Sequence, residues 1–437
     1  MSGNRLTKRD ALDRTVLLIR RVLHLDESHA DQIVQALSSI SVCILADCKN
    51  LKCFAGQSCF VTFVQLVQAM GCQVKLVMPE VPLMGPQPPL IGDELRAALV
   101  AYGEDSMPES SIDLVDRISA NDLVFVLGDS RLDGTTNAGW RLSGGTWWGA
   151  TTTIHGGAPR WVGEFPVGAA VAAAIASVEP FKAAIRILKA DLRLNLVASE
   201  QFDPTPAAQV DLAPGVVVPG HLLLGDVDVI SAGAVSMAAM HCLLRCPDLV
   251  ARFRVFDPDF VGVSNLNRAP LALLSLLGAP KVEAIAQWQR HPAVTIVGLQ
   301  KRLDRTSAPQ FGARAPSCLV GCDDIPTRWL VQEQMPRWVG IGSTADLFTL
   351  TSEHVSNIAC ARCLHREDDA FRDTVATVSF VSYWAGLLIA ARLLRNAAGH
   401  PSSADQQALN LVPLRLDLPN AARWGRVARW NCCPICG

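Results

Sequence analysis

The stretch from Val227 to Arg268 limits the fold more than any other part of this chain. A short apolar run, Val227 to Ile230, passes through Ser231-Ala232-Gly233-Ala234 into an apolar segment at helical spacing, Val235 to Leu244. A second apolar run, Phe253 to Phe256, stops on Asp257. Strand, tight turn, helix, strand and acid, in that order, open a nucleotide-binding βαβ unit. The turn must let a phosphate approach backbone N–H groups at a helix N-terminus, which needs residues with almost no side chain. The pattern G-x-G-x-x-G reads here as Ser231-x-Gly233-x-x-Ser236, so one glycine of three is present. Asp257 stands where such folds place the acid that holds a ribose hydroxyl.

The residues that follow narrow the chemistry. Asp257-Pro258-Asp259 leads into Ser264-Asn265-Leu266-Asn267-Arg268 and then Pro280-Lys281-Val282-Glu283. In residue type and spacing this series resembles the MoeB/ThiF family of adenylating enzymes, which includes the ubiquitin-activating enzymes, over roughly the C-terminal half of the chain. The resemblance implies a substrate carboxylate attacking the α-phosphate of ATP, giving an acyl-adenylate and pyrophosphate. Such a reaction asks a protein chiefly for positioning and for neutralising phosphate charge.

Several roles come with the resemblance. Asp257 and, less specifically, Asp259 belong to the nucleotide-binding set, with Gly233 in the phosphate turn. Arg268 grips phosphate oxygens through its planar fork, and Asn265 and Asn267 order that loop or reach the phosphate. Lys281 begins a helix behind Pro280, from which its ammonium points back toward the nucleotide. Asp323, in Gly321-Cys322-Asp323-Asp324, holds the Mg²⁺ that bridges the phosphates, with Asp324 as the alternative ligand and Arg328 bracing the next helix. Asp13-Arg14 resembles the arginine element that crosses the family's dimer interface to the partner's ATP. Taken singly, these are a loop-capping carboxylate, an exposed arginine and a solvated lysine; their fixed order favours the nucleotide reading. Ala269 departs from the family, which usually has Gln there, and puts a secondary contact in question.

The pieces recur. ILAD near Ile44 stands against DVIS near Val229, VKLVMPE against RVFDPDF, and LVFVLGDS against CLVGCDD, with an apolar helix near the end of each half. Order and period point to an internal duplication. The first copy has Met78-Pro79-Glu80 in place of Asp257-Pro258-Asp259 and lacks the Ser-Asn-Leu-Asn-Arg loop. The expected architecture is α/β, with two doubly wound Rossmann-like domains forming a pseudo-dimer in one chain. Residues 1–200 are the inactive copy, 201–219 a Pro-rich linker and 220–437 the active adenylation domain. An unrelated α/β domain is the alternative for the first half. Helices are expected over Leu12 to Ile40, Gln57 to Met70 and, as one long element, Gly168 to Leu188. An extended arm is expected over Gly399 to Asn420.

Fourteen cysteines in a chain without an export-like start are read as thiols and metal ligands. Cys360-x-x-Cys363 and Cys433-x-x-Cys436 supply four thiolates at the spacing of a closed, structural Zn²⁺ site; Cys432 is a non-ligand. The same double knuckle occurs in MoeB-like members. No cysteine lies between Cys363 and Cys432, where ubiquitin-activating enzymes usually carry their thioester cysteine, and none elsewhere is assigned that role. A formal net charge of -2 gives no overall pull toward nucleic acid or an anionic membrane, and the chain reads as cytoplasmic.

The implied cofactors are ATP, Mg²⁺ and structural Zn²⁺. The implied partner is a ubiquitin-like or sulfur-carrier protein with a free C-terminal tail, with a downstream conjugating enzyme beyond it. Activation of a peptide C-terminus and a non-catalytic nucleotide-binding scaffold are the alternatives. A nicotinamide dehydrogenase is excluded, because the Arg268, Lys281 and Asp323 set is phosphate and metal chemistry.

Overall fold

The computed structural model describes residues 6–132, 139–194, 199–218, 220–289, 293–366 and 374–436. Two sheets organise them. The first holds β1 (Ser41–Leu45), β2 (Gln73–Val77), β3 (Ile112–Leu114), β4 (Leu123–Leu127), β5 (Gly139–Gly144), β6 (Trp148–Thr153) and β7 (Ala208–Asp211), in the order 3-2-1-4-5-6-7. The second holds β8 (Leu222–Ile230), β9 (Leu249–Phe256), β10 (Val294–Leu299), β11 (Ser317–Val320), β12 (Trp338–Ala345), β13 (Phe348–Val355), β14 (Ala408–Leu411) and β15 (Ala422–Gly425), in the order 10-9-8-11-12-13-14-15.

In each sheet the first five strands run parallel and the remainder antiparallel. The two orders are the same pattern with one extra edge strand in the second. Both are Rossmann-like sheets whose order reverses beside the first strand, and that reversal opens a crevice at the strands' carboxyl ends. The pairing fixes how the halves correspond. Leu45 lies beside Val77 and Val126, as Ile230 lies beside Phe256 and Val320. Counting on from those rows, Met78 occupies the place of Asp257, and Asp129 the place of Asp323.

The halves share one apolar core. Every residue of the helix Phe54–Gln68 is buried, as is the run from Ser379 to Leu394 in the helix Ser379–Ala397. A helix buried on every face needs cover on all sides, and these two lie at the join. Gly386 lets the second helix approach the helix Ala234–Leu243: a Cβ there would come within 2.3 Å of the Val235 carbonyl oxygen. Polar contacts lock the join. His241 Nε2 donates to Gln65 Oε1 at 2.7 Å, while its Nδ1 accepts from the Tyr383 hydroxyl at 3.0 Å. Arg245 donates to Thr62 and to the Pro88 carbonyl.

Four elements differ from expectation. The stretch Leu12 to Ile40 is two helices, Asp13–Leu23 and Ala30–Ser39, because the chain leaves the first through His24 at a φ of 55°. The Ala-rich segment near residue 168 is two helices, Val167–Ala176 and Val178–Asp191. Pro180, in the first turn of the second, has no N–H to continue a single ladder. Residues 208–211, inside the expected linker, form β7, because Ala208 and Val210 face inward from a stretch whose prolines mask the alternation. The expected arm after Gly399 is sheet as well, since Leu409 and Leu411 alternate inward in β14, which pairs with β13 and β15. No helix of the described residues is long and apolar enough to cross a membrane.

Burial pushes His241 well below the usual histidine range, aided by Arg245, and pushes His354 down to about 4. The unfolded chain takes up protons on both near pH 6.5 and the folded chain does not. Stability is therefore full above that pH and falls as acid is added, His354 alone withdrawing about 3 kcal/mol by pH 4. Urea unfolding should show stability dropping between pH 6.5 and 5, with a shallower drop in His241→Gln; a profile identical in the variant contradicts the account.

Candidate functional site

The crevice of the second sheet is a cleft of about 590 Å³ at the carboxyl ends of β8, β9 and β11, a size ordinary for small-molecule sites. Arg14, Gly233, Asp257, Asp259, Asn265, Arg268, Lys281 and Asp323 all line it. They come from separated segments, one of them in the other half of the chain.

Strand β8 ends at Ile230, and the chain turns sharply through Ser231, whose φ is 78°. Gly233 then caps the helix Ala234–Leu243. Asp257, which follows β9, is only 4% exposed and ties the turn to the neighbouring strand. Its Oδ2 accepts from Ala232 N at 2.7 Å and from Ser231 Oγ at 3.2 Å, and its Oδ1 from Asp259 N at 2.8 Å. Asp259 reaches outward and pairs with Lys281 at 2.9 Å. The backbone N–H of Lys281 donates to the Asp259 carbonyl, so the start of the helix Lys281–Ala286 is fastened to the same loop.

Asn265 folds its amide oxygen back onto Gly262 N at 2.9 Å, which rounds the loop. Asn267 is fully buried and donates to Thr15 Oγ1 at 3.1 Å, pinning the loop to the N-terminal helix Asp13–Leu23. Arg268 donates to Asn267 Oδ1 and to the Ser264 carbonyl. Burial, reinforced by the neighbouring Arg14 guanidinium, pushes Arg268 down to about 10, while Asp13 and Asp323 oppose the shift. Arg14 leaves the same N-terminal helix, pairs with Asp13 and donates to the Val375 carbonyl at 3.3 Å. Two guanidiniums that repel each other, with Asp13 and Asp323 offsetting only part of their charge, favour an anionic occupant.

Asp323 and Asp324 divide their work. Asp324 caps the helix Ile325–Glu333, accepting from Thr327 N at 2.8 Å. Asp323 makes no hydrogen bond or ion pair with the described residues, so its oxygens are free for a hard cation. Arg328 braces the strand end: its Nε and Nη2 donate to the Cys322 carbonyl at 3.0 and 2.8 Å. Gly321 lets β11 end against the phosphate-turn helix, where a Cβ would come within 2.4 Å of Ser236 Oγ.

The cleft holds residues that the motifs did not name. Arg302, Thr344, Thr377 and Ser382 also line it. Arg302 is the one with a signal in hindsight, since it closely follows β10, beside the crevice. The matching place in the first sheet is closed by its own side chains. Buried Asn50 donates to Asp47, Asp129 and Ser130, and its amide oxygen accepts from Trp161 N at 3.0 Å.

Cys360, Cys363, Cys433 and Cys436 form the second cluster, their sulfurs all within 4.8 Å of one another. Cys360 to Cys433 is 3.4 Å, Cys363 to Cys436 3.5 Å and Cys360 to Cys363 3.8 Å. Tetrahedral zinc with bonds of about 2.3 Å sets its sulfurs roughly 3.8 Å apart. The donor set fits zinc, with no position open for a substrate. Cys432 is exposed and outside the cluster.

Residues 223–427 match the model of the ThiF family. The chain is 29% identical over 154 residues to the SAMP-activating enzyme E1 of Haloferax volcanii, a match covering 34% of this chain and 56% of that protein. The chain thus spans about half the length of this relative. Among solved structures, E. coli MccB with MccA-N7isoASN is 15% identical with a TM-score of 0.41, covering 48% of this chain and 67% of that one. E. coli MccB with ATP is 15% identical with a TM-score of 0.40, covering 48% and 66%.

Metal analysis of purified protein should find about one zinc per chain, falling toward zero in Cys363→Ser, with a lower unfolding temperature. A parent protein well below one zinc per chain contradicts the four-cysteine site.

Proposed function

We propose, on the match of residues 223–427 to the ThiF family model, that the protein is an ATP-dependent, E1-like adenylyltransferase. It activates the C-terminal carboxylate of a ubiquitin-like or sulfur-carrier protein. One observation carries the reading: Arg14, Arg268 and Lys281 converge with Asp257 and Asp323 in a single cleft at the sheet's crevice. Three cations answer the triphosphate, a buried acid sits where a ribose would lie, and a carboxylate stands free for a cation. The Haloferax volcanii relative is named as an activating E1, which agrees with this class.

The carboxylate oxygen of the substrate tail attacks the α-phosphorus. The bond from that phosphorus to the bridging oxygen breaks, and pyrophosphate leaves with the electron pair. No proton has to move. Arg268 and Arg14 hold phosphate oxygens and draw off the charge that builds on them. Lys281, released from Asp259, reaches the outer phosphates, and Asp257 and Asn265 orient ribose and loop. Asp323 would hold Mg²⁺, which when bound would supply positive charge against the developing pyrophosphate.

Residues 1–200 act as an inactive copy that takes the place of a second subunit. That copy supplies Arg14, while residues 220–437 hold the remaining groups, and the protein works in the cytoplasm. A downstream conjugating enzyme would receive the activated carrier.

ATP–pyrophosphate exchange driven by purified ubiquitin-like carriers, with short free-carboxylate peptides as a second arm, tests the proposal. Arg268→Ala and Asp323→Ala should each lower exchange by about 10²–10³-fold, and Arg14→Ala should also lower it. Exchange with peptides alone would reassign the substrate. No exchange in either arm, together with ATP binding unaffected by Asp323→Ala, would leave only a nucleotide-binding scaffold.

A further inference from the structure

Two of the three glycine positions in the phosphate turn are serines, and they do different things. Ser236 is fully buried on the helix, packed against Gly321, and does not itself line the cleft. Ser231 lines the cleft itself. It holds φ at 78°, a left-handed conformation that penalises any residue carrying a Cβ. A strained residue at such a position is kept by what its side chain does.

The Ser231 hydroxyl makes two contacts. It accepts from Gly233 N at 3.0 Å and donates to Asp257 Oδ2 at 3.2 Å. Gly233 N–H is the donor that the start of a helix offers to a phosphate oxygen. Asp257 is the acceptor offered to a ribose hydroxyl. One side-chain oxygen therefore occupies a donor and an acceptor that a nucleotide needs.

We propose that Ser231 is a built-in competitor of the nucleotide, a residue that sets affinity by holding Gly233 and Asp257 together until ATP displaces its hydroxyl. The inference rests on the nucleotide reading of the cleft. In the empty chain the hydroxyl satisfies the turn and offsets its strained backbone. When ATP enters, the side chain must rotate away from both partners, and that loss is subtracted from the affinity. A glycine at 231 has neither the strain nor the oxygen. An alanine keeps the strain and lacks the oxygen.

Calorimetric titration of ATP into the full chain, with Mg²⁺ present, separates these cases. Ser231→Gly and Ser231→Ala should both bind ATP about fivefold more tightly than the parent, the effect of no longer breaking one ordinary hydrogen bond. Ser231→Ala should unfold at a lower temperature than Ser231→Gly, because only the alanine is strained. In pyrophosphate exchange the KM for ATP should fall in Ser231→Gly by a larger factor than kcat changes, a split that a purely structural residue would not produce. Parent and variants binding ATP alike, or the variants binding more weakly, overturns the role of Ser231 and leaves the nucleotide site standing. Absence of ATP binding in parent and variants alike overturns both.

Discussion

The cleft depends on a hydrogen bond between its two halves: buried Asn267 donates to Thr15 on the N-terminal helix. That bond fixes the loop from which Arg268 projects, and the neighbouring residue on the same helix, Arg14, is the second guanidinium of the cleft. The two arginines repel each other, and Arg268 is shielded from water. Such an arrangement is costly unless the scaffold enforces it. The enforcement comes from the join, where His241, Gln65, Tyr383, Arg245 and Thr62 are hydrogen-bonded in the interior. A buried network of this kind specifies one relative placement of the halves, because any slip leaves polar atoms unpaired.

The same join explains the contrast between two sheets of one topology. In the first, Asn50 fills the crevice and engages Asp129, the counterpart of Asp323. In the second, Asp323 has no hydrogen-bond or ion-pair partner among the described residues. Equal topology therefore does not mean equal chemistry: one crevice is filled by its own side chains, and the other takes a cation, Arg14, from the neighbouring half. Lys281 adds a further element of readiness, since its ammonium, mostly buried at the cleft wall, is paired with an exposed Asp259 carboxylate that a phosphate can replace.

Much of this was legible in the sequence, and the reason is local. Asp257, Asn265, Arg268 and Lys281 fall within one βαβ segment, where spacing along the chain maps directly onto spacing in the fold. Asp323 follows an apolar strand and is placed by the same logic. Arg14 lies far off in sequence, and only the resemblance pointed to it. Thr377 and Ser382 carried no signal, because they reach the cleft through tertiary packing. The strands β7 and β14 were missed because four-residue runs among prolines show too little alternation to stand out. The serine at 231 read as a missing glycine; only its φ and its two hydrogen bonds reveal what it does.

The central claim is that one nucleotide is held by both halves of the chain at once. Hydrogen exchange, followed by mass spectrometry with and without ATP, measures this directly. The account predicts added protection in the helix Asp13–Leu23 together with the turn at residues 231–233 and the loop at residues 257–268, all rising at the same ATP concentration. Protection confined to the C-terminal half, with the N-terminal helix unchanged at saturating ATP, would contradict it.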